Sequence, residues 1–377
     1  MDSKINLLFC GDFFSLSPNE ICFSDELLSL ISSCKIRCID FEAPVENKGV
    51  PINKGGHGCI TQSLDSPQYL ESMGFNVISM SNNHIYDYGE EGLIATQNAF
   101  KSSLICGVGT WDTAYQVKVL EFNNIKIGFL SLTHCEFGVL DDVWDKSVKI
   151  GCAGISNPQV NTIITNAKKH VDFVIILAHA GVEYLNIPLP EWRNRYREFI
   201  DYGADAVVAS HPHAPQGWEK YKDRPIFYSL GNFYYEYNSE MSYWNDGLIV
   251  LMDVDSITKE ISYKVECIQR INNRLEINSS EKMKKHIQYL CEILKDDNLY
   301  MNEVENSLMK LWHNYQNTIL SGLNLDRSSL TPKNILRIIK HSISRHSNLY
   351  IFINLLRCES HLWAIKRIIK LKQKDIV

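Results

Sequence analysis

Two histidines one residue apart, His211 and His213, follow directly on the apolar run 206–209. A run of that length reads as a strand. Residues i and i+2 of a strand, or of the loop just past it, share a side and can converge on one point. Four more apolar runs end in side chains able to hold a metal: Asp12 after residues 5–10, Glu42 after 36–41, Asn83 with His84 after 77–80, and His179 after 172–178. An α/β sheet keeps its site at the carboxyl ends of its strands, so successive βα units of one sheet would gather all five ends. Carboxylates, an amide oxygen and imidazoles form a mixed oxygen and nitrogen donor set. That set suits Mn²⁺, Fe²⁺ or Zn²⁺, one ion or two, better than Ca²⁺ or a thiolate site. A carboxylate bridging two cations roughly 3.5–4 Å apart would make it a two-metal hydrolytic centre. Each residue alone has a plainer explanation: Asp12 caps a loop, Asn82-Asn83 forms a turn, and an isolated His-x-His is a pair of solvated loop histidines. Five such strand ends together point to a metal centre.

The elements that must position these groups can be read from periodicity and punctuation. Residues 5–10 form a buried strand that Gly11-Asp12 turns. Ser24 caps a helix over about 25–33, Ser66-Pro67 starts a second that Gly74 ends, and a third covers about 90–102. Residues 117–122 and 125–132 flank Asn123-Asn124, a hairpin signal. A helix over about 191–202, closed by Gly203, leads into the strand before His211. The strands 248–254 and 261–268 are placed to pair antiparallel. Residues 46–63 make a long glycine-rich loop, on which Lys54 and His57 either contact an anionic substrate or stand solvated. His134 also ends a strand, where a loop or core role outweighs a place in the site. Trp218, just past the His-Pro-His loop, is a candidate pocket wall.

Composition narrows the class. The 377 residues are 45% hydrophobic and 22% charged, which describes a globular chain with ample core. A net charge of −6 gives no reason to expect a nucleic-acid partner. Eleven scattered cysteines, never spaced as Cys-x-x-Cys, read as reduced thiols rather than a disulfide framework. The amino terminus enters a strand with no signal-peptide layout and no apolar stretch nears the roughly 20 residues of a membrane helix, so a cytoplasmic protein is expected. The composition changes after about residue 278, which divides the chain into 1–278 and a helical basic extension, 279–377. Ser280 caps a helix through Leu294, another spans about 303–320, and Pro332 opens a helical tail. Residues 331–377 carry ten Lys or Arg against Glu359 and Asp375, net +8, which leaves −14 on the other 330. Such a tail either packs as a cap on the acidic domain or makes a peripheral contact with the inner face of an anionic membrane or a synthase partner.

Six stretches follow one another in a familiar order: Gly11-Asp12, Phe41-Glu42-Ala43-Pro44, Ser81-Asn82-Asn83-His84-x-x-Asp87-x-Gly89, His179-Ala180-Gly181-Val182-Glu183-Tyr184, Ser210-His211-Pro212-His213 and Tyr228-Ser229-Leu230-Gly231-Asn232-Phe233. Over about residues 4–270 the chain resembles the CapA-type capsule and poly-γ-glutamate synthesis proteins. That family is similar to the calcineurin-like metallophosphoesterases. The resemblance implies an α/β fold, a four-layer α/β/β/α sandwich, to which the C-terminal helical extension is added. It implies Asp12 and His213 on one cation, Asn83, His179 and His211 on the other, and Glu42 bridging where the superfamily usually has aspartate. His84 would protonate the leaving group or steady the transferring oxyanion. Asp87 and Glu183 would orient ligand histidines from behind, with Asn232 placed beside them or on substrate. Two departures stand out: Phe14 replaces the histidine of the superfamily's Asp-x-His, and Asp40 adds a carboxylate facing either core or site. The implied activity is metal-dependent hydrolysis of a phosphoester or related anionic bond, in a small molecule or polymer, during capsule or extracellular-polymer biosynthesis. Amide chemistry on a γ-glutamyl polymer and non-catalytic assembly with a polymer synthase are the alternatives.

Overall fold

A strand that is apolar on both faces must be covered on both, and this requirement sets the architecture. The computed structural model describes residues 3–54, 58–322 and 349–374. Along the strand Lys4–Phe14, Leu7 and Phe9 enter one core while Leu8 and Cys10 enter another. Phe173–His179 divides likewise: Phe173, Ile175 and Leu177 join Leu7 and Phe9, and Val174, Ile176 and Ala178 turn to a third core. The shared core therefore lies between two stacked sheets.

Among the described residues, the first sheet runs in the order Cys22–Phe23, Arg274–Ile277, Ile261–Ile271, Asp246–Asp255, Lys4–Phe14, Ile36–Phe41, Val77–Ser79, Leu104–Cys106. Asn232–Tyr235 pairs in parallel with the end of Lys4–Phe14. The second sheet runs Trp218–Tyr221, Arg224–Phe227, Ala206–Ser210, Phe173–His179, Ile125–Thr133, Lys118–Phe122. Helices Asp25–Ser33, Ser66–Ser72 and Gly89–Ala99 cover the first sheet through Leu27, Ile31, Leu70 and Leu93. Helices Gln159–Lys168 and Pro190–Asp201 cover the second through Val160, Ile164, Trp192, Tyr196 and Phe199. The result is a four-layer α/β/β/α sandwich, as the resemblance implied, with helices appended at the carboxyl end.

Local expectations are met where the signal is local. Ser24 Oγ accepts the Leu27 amide at 3.3 Å and Ser280 Oγ the Met283 amide at 3.4 Å, so both serines cap their helices. Asn123 and Asn124 take φ of 51° and 63°, the left-handed pair of a tight hairpin, and Phe122 faces Ile125. Asp246–Asp255 and Ile261–Ile271 pair antiparallel. Three expectations need correction. The strand ends belong to two sheets, not to one. Lys4–Phe14 does not turn at Gly11-Asp12 but runs on through a bulge. The helix expected to reach residue 102 stops at Ala99, because the amides of Lys101, Ser102 and Ser103 all donate to Glu71 Oε1 at 2.7–2.9 Å and leave the helical ladder.

The carboxyl-terminal helices are built into the sandwich. Glu281–Ile293 adds Met283, Ile287 and Leu290 to the inter-sheet core. Asp297–Gly322, Leu349–Arg357 and Glu359–Lys374 bring Val304, Leu308, Leu355, Ala364 and Ile368 against Trp192 in the outer core. Arg357 is buried on Asp142, and Arg367 Nε lies 3.0 Å from both Glu191 oxygens. These basic residues hold the cap down. The helix expected at Pro332 lies outside the described residues. No described helix is long and apolar enough to cross a membrane.

Leu7, fully buried between the sheets, sets the scale of the packing. Leu7→Ala should lower unfolding free energy by about 2–5 kcal/mol by leaving a cavity. Leu299→Ala, at a site 57% exposed, should cost less than about 0.5 kcal/mol. Denaturant midpoints of the two variants check the difference.

Candidate metal centre

The site begins with a close backbone approach. A Cβ on Gly11 would lie 1.8 Å from the Gly231 carbonyl oxygen, so only glycine lets these segments touch, and the Asp12 amide donates to that same oxygen at 3.1 Å. Here Lys4–Phe14 leaves its antiparallel partner Asp246–Asp255 and takes up Asn232–Tyr235. The register shifts on both sides, and the bulge re-aims Asp12. Three residues next to or among the expected ligands adopt left-handed backbone: Ala43 with φ 88°, His211 with φ 101° and His213 with φ 53°. Each costs of order 1–3 kcal/mol and persists only where surrounding structure imposes it. At His211 part of that imposition is the Asp12 carboxylate, whose Oδ2 accepts the His211 amide at 3.2 Å.

The six expected ligands come together as two donor sets sharing one carboxylate. Glu42 Oε1 is 3.9 Å from His179 Nε2, which in turn is 2.9 Å from Asn83 Oδ1 and 3.1 Å from His211 Nδ1. On its other side Glu42 Oε1 is 3.6 Å from His213 Nε2, and His213 Nδ1 is 3.5 Å from Asp12 Oδ2. Glu42, His179 and His211 form one group with metal-holding spacing; Asp12, Glu42 and His213 form another. Both Glu42 oxygens, Asp12 Oδ1 and His179 Nδ1 are buried without a hydrogen-bond partner. Orphaned polar atoms of this kind are costly in a protein interior. A single proton on His179 Nε2 cannot serve Asn83 Oδ1 and His211 Nδ1 at once. Neighbouring donors on one cation with bonds of about 2.1 Å stand roughly 3.0–3.4 Å apart, close to the spacing around His179. The residues would fit divalent cations, with Glu42 standing between the two donor sets.

A second layer fixes the rings. Asp40 faces the site: its Oδ2 is 3.4 Å from His179 Nδ1 and accepts the Ser79 hydroxyl at 3.0 Å. A carboxylate behind a ligating histidine sets its tautomer and basicity. Asn232 does the same for His213, with Oδ1 2.9 Å from Nδ1, while its Nδ2 donates to the Trp244 carbonyl at 2.9 Å. Asp87 orients not a ligand ring but His84, at 2.8 Å from Nδ1. Lys54 is not solvated. It is buried, with Nζ 2.5 Å from Asp87 Oδ1 and 2.7 Å from the Asn83 carbonyl. Glu183 lines a cavity of about 150 Å³ with Tyr184, Tyr315 and Leu355, and its charge acts on the His213 ring. His57 lies outside the described residues. Phe14 stacks on Tyr235 and Tyr237, and Tyr235 and Trp244 stand 4.9 and 5.1 Å from the His213 ring. An aromatic wall thus occupies the place of the absent histidine. Trp218 packs on Phe227 in the inter-sheet core, so Trp244, which no motif marked, is the pocket wall. His134 is buried as expected, its ring 4.5 Å from that of His211.

Burial dominates the electrostatics. It pushes Asp12 up to about 7, with His179 pulling down and Asp40 pushing further up. It raises Asp40 to about 8 and Glu42 well above the carboxylate range, the latter reinforced by Asp12 and Asp40. It lowers His179 to about 3, His213 to about 4 and His211 well below its ordinary value. A cation reverses the balance for the carboxyls, since it favours their ionised form.

Residues 17–237 match the family model described as bacterial capsule synthesis protein PGA_cap. The PGA biosynthesis protein CapA of Bacillus subtilis (strain 168) is 33% identical over 181 residues, 46% of this chain and 46% of that protein. The capsule biosynthesis protein CapA of Bacillus anthracis is 31% identical over 172 residues, 44% and 42% of the two chains. The chain spans about half the length of these relatives. The crystal structure of a hypothetical protein from Thermus thermophilus superposes with a TM-score of 0.44 at 12% identity, over 69% of this chain and 98% of that one.

Protein purified without chelator should carry Mn, Fe or Zn, and His179→Ala and His211→Ala should each lose about one equivalent by elemental analysis. Unchanged metal content in both would sink the ligand assignment. The chelated protein should also show a distinctive pH response. Folded Asp12 and Asp40 keep protons that the unfolded chain releases above about pH 4, so their contribution to stability falls as pH rises toward 8. The lowered histidines act in the opposite sense, but only below about pH 6.5. Between about pH 6.5 and 8 the melting temperature of chelated protein should therefore drop, and added Mn²⁺ or Zn²⁺ should restore it; calorimetry at fixed ionic strength reads both.

Proposed function

Because the chain belongs to the bacterial capsule synthesis protein PGA_cap family, we propose that it is a metal-dependent hydrolase acting on a phosphoester or related anionic bond in extracellular-polymer biosynthesis. The observation that carries this is the sharing of Glu42 between two buried donor sets, with His84 beside ligand Asn83. When bound, a divalent pair supplies Lewis acidity and screens the charge that develops on phosphoryl oxygens.

The chain's own residues do the rest. Burial alone would raise the Asp87 carboxyl, yet His84 and Lys54 beside it hold it below the usual range, so it is an acceptor. His84 Nδ1–H donates to it at 2.8 Å, and in the imidazolium form the second proton, on His84 Nε2, is the one that the departing oxygen would take. Lys54 Nζ and the Ile60 amide fix Asp87 in turn, the latter at 2.9 Å from Oδ2. Lys54 and Ile60 therefore serve the acid from behind. Phe14, Tyr235 and Trp244 keep water from the Asp12 and His213 side. Amide cleavage in a γ-glutamyl polymer uses the same groups, and the name of the Bacillus subtilis relative, PGA biosynthesis protein, favours including such substrates. Lys366 and Lys370 stay exposed on Glu359–Lys374, which supports contact with an anionic membrane face or a synthase partner on the cytoplasmic side.

The metal-loaded chain should hydrolyse members of a phosphomonoester, phosphodiester and γ-glutamyl panel. His84→Gln should lower kcat by about 10²–10⁴-fold with metal content retained, whereas Asn83→Ala should lose both metal and turnover. A fully loaded wild type inert across the panel would favour the non-catalytic assembly role instead.

A further inference from the structure

Beyond the six ligands, three more donors from distant parts of the chain meet past the carboxyl end of Ile125–Thr133. His134 Nε2 stands 3.4 Å from Glu136 Oε2 and 3.9 Å from Cys358 Sγ, and the three donor atoms lie within 4.8 Å of one another. All three residues are buried. His134 and Glu136 belong to the loop after the strand, while Cys358 joins helices Leu349–Arg357 and Glu359–Lys374.

We propose that His134, Glu136 and Cys358 form a separate zinc site that fastens the C-terminal helices to the sheet domain.

The distances favour a cation over a proton. A charge-assisted hydrogen bond brings nitrogen and oxygen to about 2.7–2.9 Å, and one proton on Nε2 serves only one of its two neighbours. Around a tetrahedral zinc, with bonds of about 2.0–2.1 Å to nitrogen and oxygen and 2.3 Å to sulfur, donors stand about 3.3–3.6 Å apart. The 3.4 Å from His134 Nε2 to Glu136 Oε2 falls in that range, and the 3.9 Å to Cys358 Sγ lies just beyond it. A thiolate among the donors selects zinc over the harder Mn²⁺. The frame around the trio is already set. His134 Nδ1 is 3.0 Å from Ser360 Oγ, which also accepts Trp192 Nε1–H at 3.1 Å, so the ring is oriented from behind as ligating histidines are. The Cys135 amide donates to Glu359 Oε2 at 2.8 Å, and Arg357 lies on Asp142. These contacts fix both segments independently of the trio. Three protein donors leave the fourth position to water, reached past the slightly exposed Glu136. The His134 ring meets His211 edge-on, so a cation here also braces a ligand of the main centre.

Sulfur makes the site distinguishable, because the donors of the main centre are all oxygen or nitrogen. Full chain loaded with Co²⁺ should show a near-ultraviolet thiolate-to-cobalt charge-transfer band. The band should persist in Cys135→Ser and vanish in Cys358→Ser, whose visible bands from the main centre should remain. Absence of the band at saturating Co²⁺, or its survival in Cys358→Ser, would overturn the proposal. If Cys358→Ser does not fold, X-ray absorption of the wild-type zinc form decides: a sulfur neighbour at about 2.3 Å is expected, and a purely nitrogen and oxygen shell refutes the site. Neither outcome depends on the hydrolase proposal.

Discussion

Negative charge concentrated where water is excluded is the constraint on which the rest of the molecule depends. Asp12, Asp40 and Glu42 occupy one buried patch between the strand ends of two sheets, and burial raises all three. Such a patch is tolerable only if it is protonated or neutralised by a cation. The local backbone is bent to serve it, at Ala43, His211 and His213, and that strain is held by a sandwich whose cores overdetermine the positions of its strands.

Labour is divided by element type. Strand ends of both sheets hold the donors, since a paired strand fixes its terminal side chain better than a loop does. Among its described residues the long loop after Pro44 supplies no donor; Lys54, Ile52 and Ile60 contact Asp87 and so govern the acid. The C-terminal helices form the back wall, with Ser360, Trp363 and Arg357 packed behind His134 and Trp192. Acid, donors and wall are thus held by separate parts of the chain.

What the sequence disclosed follows the range of the physics involved. Asp12, Glu42, Asn83, His179, His211 and His213 were legible because ending an apolar run is a local property. The caps at Ser24 and Ser280 and the Asn123-Asn124 turn were legible for the same reason. Asp40 was open to inference: it lies two residues before Glu42 on one strand, so strand alternation puts both on one side. The division into two sheets carried no mark in the residue pattern and entered only through the resemblance, because adjacency of strands is decided by tertiary packing rather than by any window of residues. Trp244 and the inward course of Lys54 depend on how loops fold back, and neither carries a periodic signal. Cys358 and Ser360 had no local mark at all; their meaning comes from landing beside His134, more than two hundred residues away in the chain.

The pairing of the first strand has a consequence for how the chain reaches this state. Lys4 faces Asp255 and Cys10 faces Ile249, so the central strand of the first sheet gains one neighbour only after nearly the whole sandwich sequence exists. Contacts of such long range slow folding, because loop-closure entropy is lost before the pairing compensates it. During synthesis from the amino terminus, Lys4–Phe14 can meet Ile36–Phe41 early, yet it presents an open apolar edge until the late antiparallel strand arrives. The donor cluster has the same dependence, since Asp12 meets Asn232 and His213 only at that closure. Metal capture by the proposed centre would then be a late event, and an ion held there would mark a chain whose first strand has already met the segments of His213 and Asn232.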